Sequence, residues 1–215
     1  SMGIQELLHY INQEINLFRL GQISKIKNSM KITIFDVDDT LIITKSKIKV
    51  HNPKTGFSAE LTPQEFNTFK TRPNDKMDFS DFQSLDILKA GKIIEWVFAI
   101  LKRTIAKGKP VGIITARDNS NLIQQFLSHN GININPQYIF AINDVSLGFK
   151  GSTSEKKKEA FKKFIDMGFT DFTFFDDDEE NIKLAMSLGK ESNIKMRANL
   201  IKSKWIPKFE NFNQR

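Results

Sequence analysis

Cysteine is missing altogether from this 215-residue chain, which rules out disulfide staples and thiolate-metal chemistry. Long apolar runs are missing too. No stretch approaches the roughly eighteen consecutive apolar residues that a membrane span requires. Near the N-terminus, Ile4 to Leu20 is interrupted by Glu6, His9, Asn12 and Arg19, which does not suit a secretory signal. Internal repeats are also lacking. Together these absences lead us to expect a soluble, cytoplasmic protein in a reducing environment, with no membrane partner.

What is present argues for a folded core. Hydrophobic residues make up 40% and aromatics 11%, more than a disordered chain carries. The length suits one domain, or one domain with an insertion. Nineteen phenylalanines are an excess for this length, and they crowd the predicted strands. Thirty-two Lys plus Arg face 25 Asp plus Glu, a net charge of +7, which favours anionic partners without bearing on the fold.

In chain order, Ile4, Leu7, Leu8, Ile11, Ile15 and Phe18 recur at helical spacing, with Gly21 placed to end the helix. This extra N-terminal helix and its linker occupy 3–29, and the helix is free to pack on the domain or to dimerise. A buried strand is expected at Ile32–Phe35. Lys47–His51 and Phe57–Leu61 alternate in polarity around the turn residues Asn52-Pro-Lys-Thr-Gly56, predicting a β-hairpin. Thr62 and Pro63 then cap and open a helix. A wide apolar stripe from Ile93 to Ile105 predicts a further helix, closed by Gly108. Core strands follow at Pro110–Ile114, Ile139–Ile142 and Phe172–Phe175. Helices are expected at Ser120–His129, from Ser154 to Gly168, and through Ile182–Leu188. Ile194 to Leu200 alternates like a half-exposed edge strand, and a tail occupies 201–215. Strands alternating with helices predict a three-layer α/β fold on a parallel sheet, spanning 30–200, with an insertion at about 42–90.

Charged and hydroxyl residues recur where the predicted strands run out. The stretch Ile32-Thr-Ile-Phe-Asp36-Val-Asp38-Asp-Thr40-Leu41 sets two carboxylates at the end of a core strand, where open α/β sheets place ligands. Ile113-Ile-Thr115-Ala-Arg117 ends the next strand in a hydroxyl and a guanidinium. Three lysines, 156 to 158, open a helix. Lys157 precedes Ala160, Phe161 and Phe164 by helical intervals and shares their inward face, Lys156 is second choice, and Lys158 points away. Phe174-Phe-Asp176-Asp177 is an acidic turn, with Asp178 and Glu179 suited to the start of the next helix.

In their order, these four motifs resemble those of the haloacid dehalogenase-like (HAD) superfamily, mostly phosphatases and phosphotransferases. The resemblance covers about 30–200 and implies a Rossmann-like HAD core with a small β-hairpin/helix cap in the insertion. It implies that Asp36 attacks phosphorus to form an aspartyl phosphate. Asp38 would protonate the leaving group and then activate water, Thr115 would hydrogen-bond a phosphate oxygen, and Lys157 would be the catalytic lysine. Aligning the fourth motif on Ile182 puts Asp177 at the metal position and Asn181 at a second polar position, with Asp176 replacing a usual glycine. Mg²⁺ is then the implied cofactor, held by Asp36, Asp177 and the Asp38 carbonyl. Arg117, in a Thr-Ala-Arg sequence similar to that of nucleotide and nucleic-acid-end phosphatases, is a candidate phosphate ligand, or equally a surface salt bridge. Phe-Asp-Val-Asp-Asp-Thr-Leu, the hairpin, Asp78-Phe-Ser-Asp-Phe82 and Thr-Ala-Arg together are similar to small phage and bacterial HAD proteins.

The implied function is a Mg²⁺-dependent phosphomonoesterase acting on a small phosphorylated substrate or a phosphorylated nucleic-acid end. The second reading is a non-catalytic nucleic-acid or protein binding module on the same scaffold, opposed by the intact acidic set, and the third is a phosphotransferase. Lys45, Lys47 and Lys49 share one face of the hairpin and are expected to form a row of cations over the site.

Overall fold

The computed structural model describes residues 30–202. The predicted N-terminal helix at 3–20, its linker and the tail from 203 onward lie outside the described residues.

Among the described residues, ten strands and six α-helices follow one another: β1 (Met30–Phe35), β2 (Ile42–Ile43), β3 (Ile48–His51), β4 (Ser58–Leu61), α1 (Pro63–Thr68), β5 (Lys76–Asp78), α2 (Leu85–Lys89), β6 (Lys92–Ile93), α3 (Glu95–Ala106), β7 (Val111–Thr115), α4 (Ser120–His129), β8 (Ile139–Ala141), α5 (Thr153–Asp166), β9 (Phe169–Asp176), α6 (Glu179–Glu191) and β10 (Lys195–Leu200). Five strands form the central parallel sheet in the order β10-β9-β1-β7-β8. From β1 in the middle of that sheet the chain walks out through β7 and β8, then crosses back to β9 and β10. The connections therefore diverge between β1 and β9, and at such a reversal the loops part and leave a crevice at the carboxyl ends of the strands.

Each face of the sheet has its own apolar layer, because successive strand side chains point to opposite sides. Phe35, Ile113 and Phe175 meet α3 and α4 through Val97, Phe98, Leu101, Leu122, Ile123 and Phe126. Ile32, Ile34, Ile114, Phe172 and Phe174 meet α5 and α6 through Ala160, Phe161, Phe164, Ala185 and Leu188. This is the three-layer architecture that the alternation of strands and helices predicts. The phenylalanine excess has a physical role here: Phe35 and Phe175 stack with centroids 5.0 Å apart, and Phe161 meets Phe174 edge-on at 4.9 Å. Such pairs contribute about 0.5–1.5 kcal/mol each beyond the area they bury.

The insertion between β1 and β7 is larger than a hairpin and a helix. β3 pairs with β4 as expected, but also with β5, giving a three-stranded antiparallel sheet. The segment from 71 to 90, without a clear period in the sequence, supplies β5, a 3₁₀ turn at Ser80–Gln83, and α2. Buried Asn52 organises the fold-back. Its side-chain carbonyl accepts from Lys54 and Thr55 N–H, while its amide donates to the Pro73 carbonyl and to Asp75. Thr62 and Glu65 form the capping box that opens α1.

Two helix starts differ from expectation, and β9 begins earlier, at Phe169 rather than Phe172. The helix predicted from Ile93 begins at Glu95, because Ile93 pairs with Ile42 across the β2–β6 ribbon that closes the insertion. The helix expected from Ser154 begins at Thr153, since Ser152 and Glu155 cap it reciprocally. At the other edge β10, among the described residues, pairs with β9 alone, and Ile201 beyond it is buried. Among the described residues no helix is long and apolar enough to cross a membrane.

Candidate active site

β1 and β9 lie side by side, and the Asp36 N–H donates to the Phe175 carbonyl at 2.9 Å. That register brings Asp36 and Asp176 together at the ends of two neighbouring buried strands. After Asp36 the chain turns sharply. The N–H groups of Leu41 and Ile42 both converge on the buried Val37 carbonyl, at 2.9 and 3.1 Å. Asp39 takes a left-handed conformation at φ +56°, which short polar side chains tolerate better than most.

Lys157 reaches this point from α5. Its Nζ donates to Asp36 Oδ1 at 2.9 Å and to Asp176 Oδ2 at 2.6 Å, and it is buried. The phase of the helix separates the three neighbouring lysines. Lys157 shares the buried face with Ala160, Phe161 and Phe164, Lys156 bonds Asn143, and Lys158 bonds Glu191.

Asp176 has further donors. The Asp178 N–H reaches Oδ1 at 2.9 Å, and the Asn181 amide lies 3.1 and 3.2 Å from its two oxygens. Asn181, aligned in the sequence with a second polar position of the fourth motif, thus faces Asp176. Asp178 caps α6, as its place before Glu179 suggests.

Asp36, Asp176 and Asp177 each offer a carboxylate oxygen within 4.8 Å of the others. Three acids gather around one ammonium, and the electrostatics follow from that imbalance. Burial, then the charges of Asp176, Asp177 and Asp38, hold the Asp36 carboxyl well above its usual range, with Lys157 opposing. Burial and the charges of Asp176 and Asp39 push Asp177 up to about 7. Lys157 is held above its ordinary value, because attraction and hydrogen bonds from Asp36 and Asp176 outweigh the opposing cost of burial.

This donor set fits a hard divalent cation, which takes oxygen ligands and relieves the repulsion among carboxylates. Asp176 is already engaged by Lys157, Asn181 and the Asp178 N–H. Asp36 and Asp177 are therefore the carboxylates better disposed to hold a metal. The sequence alignment named Asp36, Asp177 and the Asp38 carbonyl and left Asp176 open.

Thr115 ends β7, fully buried. Since Phe35 pairs with Ile113 in parallel register, Thr115 stands level with Val37, between the two acids of the first motif. Its hydroxyl oxygen accepts from the Arg117 N–H at 3.4 Å.

Arg117 does form an ion pair, but as a buried side chain rather than at the surface. Its Nε and Nη2 donate to the two oxygens of Asp38, each at 2.8 Å, and its Nη1 donates to the Phe82 carbonyl at 2.8 Å. Two further contacts seat the insertion on these loops: Gln64 Nε2 donates to Asp39 at 2.5 Å, and the Gln83 amide donates to Asp118. Sequence reasoning missed Phe82, Gln64, Gln83 and Asp118 as neighbours of the site, since no periodicity records a contact between distant loops.

No protein-family model matches the chain, and no curated protein matches it significantly.

Proposed function

We propose that this protein is a magnesium-dependent phosphomonoesterase of the HAD type, working through an aspartyl phosphate on Asp36. The observation that carries the reading is the convergence of all four sequence motifs on one crevice. Asp36, Lys157 and Asp176 are joined by hydrogen bonds of 2.9 Å or less, Asp177 stands beside them, and Thr115 ends the next strand.

In this reading an Asp36 carboxylate oxygen attacks phosphorus, and the bond to the leaving oxygen breaks. Asp38 gives that oxygen its proton. It then takes a proton from a water that attacks the aspartyl phosphate, releasing inorganic phosphate and restoring Asp36. Splitting the reaction in two replaces one difficult step with two easier ones, and one carboxyl serves as acid and then base. Lys157 holds the attacking carboxylate in place and offsets part of the local negative charge. The Thr115 hydroxyl is available to donate to a phosphate oxygen. Magnesium, when bound by Asp36, Asp177 and the Asp38 carbonyl, supplies neutralisation of the phosphate charge.

The test is phosphate release with and without Mg²⁺, across nucleotides, sugar phosphates, an aryl phosphate and end-phosphorylated oligonucleotides. Asp36→Asn should fold and lose activity on the order of 10⁴-fold or more, the scale at which a missing nucleophile is felt. Turnover of the aryl phosphate by that variant at the parent rate would end the covalent reading.

A further inference from the structure

Arg117 is a buried, fully engaged cation near the crevice, and its partners connect the loop after β1 with the insertion. Its side chain is 1% exposed, whereas that of Asp38 is 24% exposed. Both oxygens of Asp38 are taken by the same guanidinium in a fork-to-fork pair. Such a pair fixes the plane of a carboxyl group as well as its position. The remaining arm of the guanidinium ends on the Phe82 carbonyl, in the 3₁₀ turn of the insertion, and the Phe82 ring lies 5.4 Å from the guanidinium carbon. Lysine at this position would supply one point charge and lose the second arm. A phosphate taken by Arg117 would have to displace Asp38 from two charge-assisted bonds.

We propose that Arg117 is a positioning residue, which orients the Asp38 carboxyl toward the leaving oxygen and ties that orientation to the seating of the Ser80–Gln83 turn. This rests on the phosphatase reading above. The insertion thereby acts on proton transfer through Arg117, and a well-seated turn is part of a competent acid.

The role predicts a dependence on the leaving group. An alkyl phosphate needs a proton at the departing oxygen, while p-nitrophenyl phosphate departs with little help. General acid catalysis contributes about 10²–10⁴-fold, so Arg117→Ala should lower kcat for an alkyl phosphate by roughly 10²-fold or more. For p-nitrophenyl phosphate the loss should be about tenfold or less, with KM little changed for either. In an Asp38→Asn background, Arg117→Ala should cost little more, because the group it positions has gone. Arg117→Lys should show the same leaving-group bias, and it carries the comparison if circular dichroism shows that the alanine variant is unfolded.

Three results would overturn the proposal: equal kcat losses for both substrates, a loss confined to KM, or costs that simply add to that of Asp38→Asn. Each would make Arg117 a phosphate ligand or a structural ion pair. Parent protein that releases no phosphate from either substrate, or Asp36→Asn that stays active, would remove the phosphatase reading itself. An active parent lacking the leaving-group bias removes only the role of Arg117.

Discussion

Asp177 is held near neutrality by burial and by neighbouring acids, and this makes the site sensitive to pH. Its carboxyl titrates at 3.8 when unperturbed and at about 7 in the fold, so the folded state holds the proton more tightly than the unfolded chain. The associated stability is fully present below the unfolded value, and it is lost as pH rises through about 7. Asp36 is shifted in the same direction. Metal-free protein should therefore melt lower at pH 8 than at pH 5.5, by an amount on the order of 5 °C for a chain of this size. Asp177→Asn should flatten that dependence. Mg²⁺ should raise Tm more at pH 8 than at pH 5.5, because it binds deprotonated carboxylates. Differential scanning calorimetry with and without Mg²⁺ at the two pH values is the check. A Tm that ignores pH in the parent protein would mean that these acids are not strained by one another.

At the scale of elements, the packing of α5 against the sheet decides where Lys157 sits. Phe164, fully buried on the same helix face, lies against β7 at Gly112. A Cβ at Gly112 would fall 2.7 Å from the Phe164 ring and 3.2 Å from the Tyr138 carbonyl. The ring has no free space to retreat into, since Phe140, Tyr138 and Phe169 surround it. Gly112→Ala should therefore cost about 1–3 kcal/mol, the usual penalty for overpacking a filled core. It should lower the urea midpoint without changing the slope of the transition. Because α5 must shift to make room, activity should fall together with stability. An unchanged midpoint would show that the sheet and α5 accommodate the methyl freely.

For the whole molecule, the positive net charge and the insertion bear on substrate size. The lysine row expected over the site is thinner in the structure. Lys49 pairs with Asp81 at 3.0 Å, the Lys47 N–H donates to the same carboxylate, and Lys45 is exposed. One aspartate thus neutralises part of a face that looks uniformly basic in the sequence. If end-phosphorylated oligonucleotides are substrates, these lysines contribute about one or two backbone contacts. The logarithm of apparent affinity should then fall with log salt by about 0.7 per contact, giving a shallow slope near −1. Kinetics on a mononucleotide and an end-phosphorylated oligonucleotide at several salt concentrations check this. A slope steeper than about −3 would require a basic track elsewhere on the chain.

Local grammar determined much of this protein. Period-two alternation marked β3 and β4, continuous apolar runs marked the doubly buried β1 and β7, and helical spacing marked α4 and α5, because burial leaves a pattern that depends only on neighbours a few residues away. Phase on a single helix separated Lys157 from Lys156 and Lys158 for the same reason. Tertiary structure decided the rest. The β5 strand and the 3₁₀ turn owe their form to β3 and Asn52, and Ile93 left the helical stripe to pair with Ile42. Asp36 and Asp176 meet because β9 ends against β1, and Arg117 pairs with Asp38 and Phe82 from among several acceptors. Each of these depends on contacts between residues far apart in the chain, where hydrogen bonds and charge pairing select a partner by position in space, and no local periodicity records that choice.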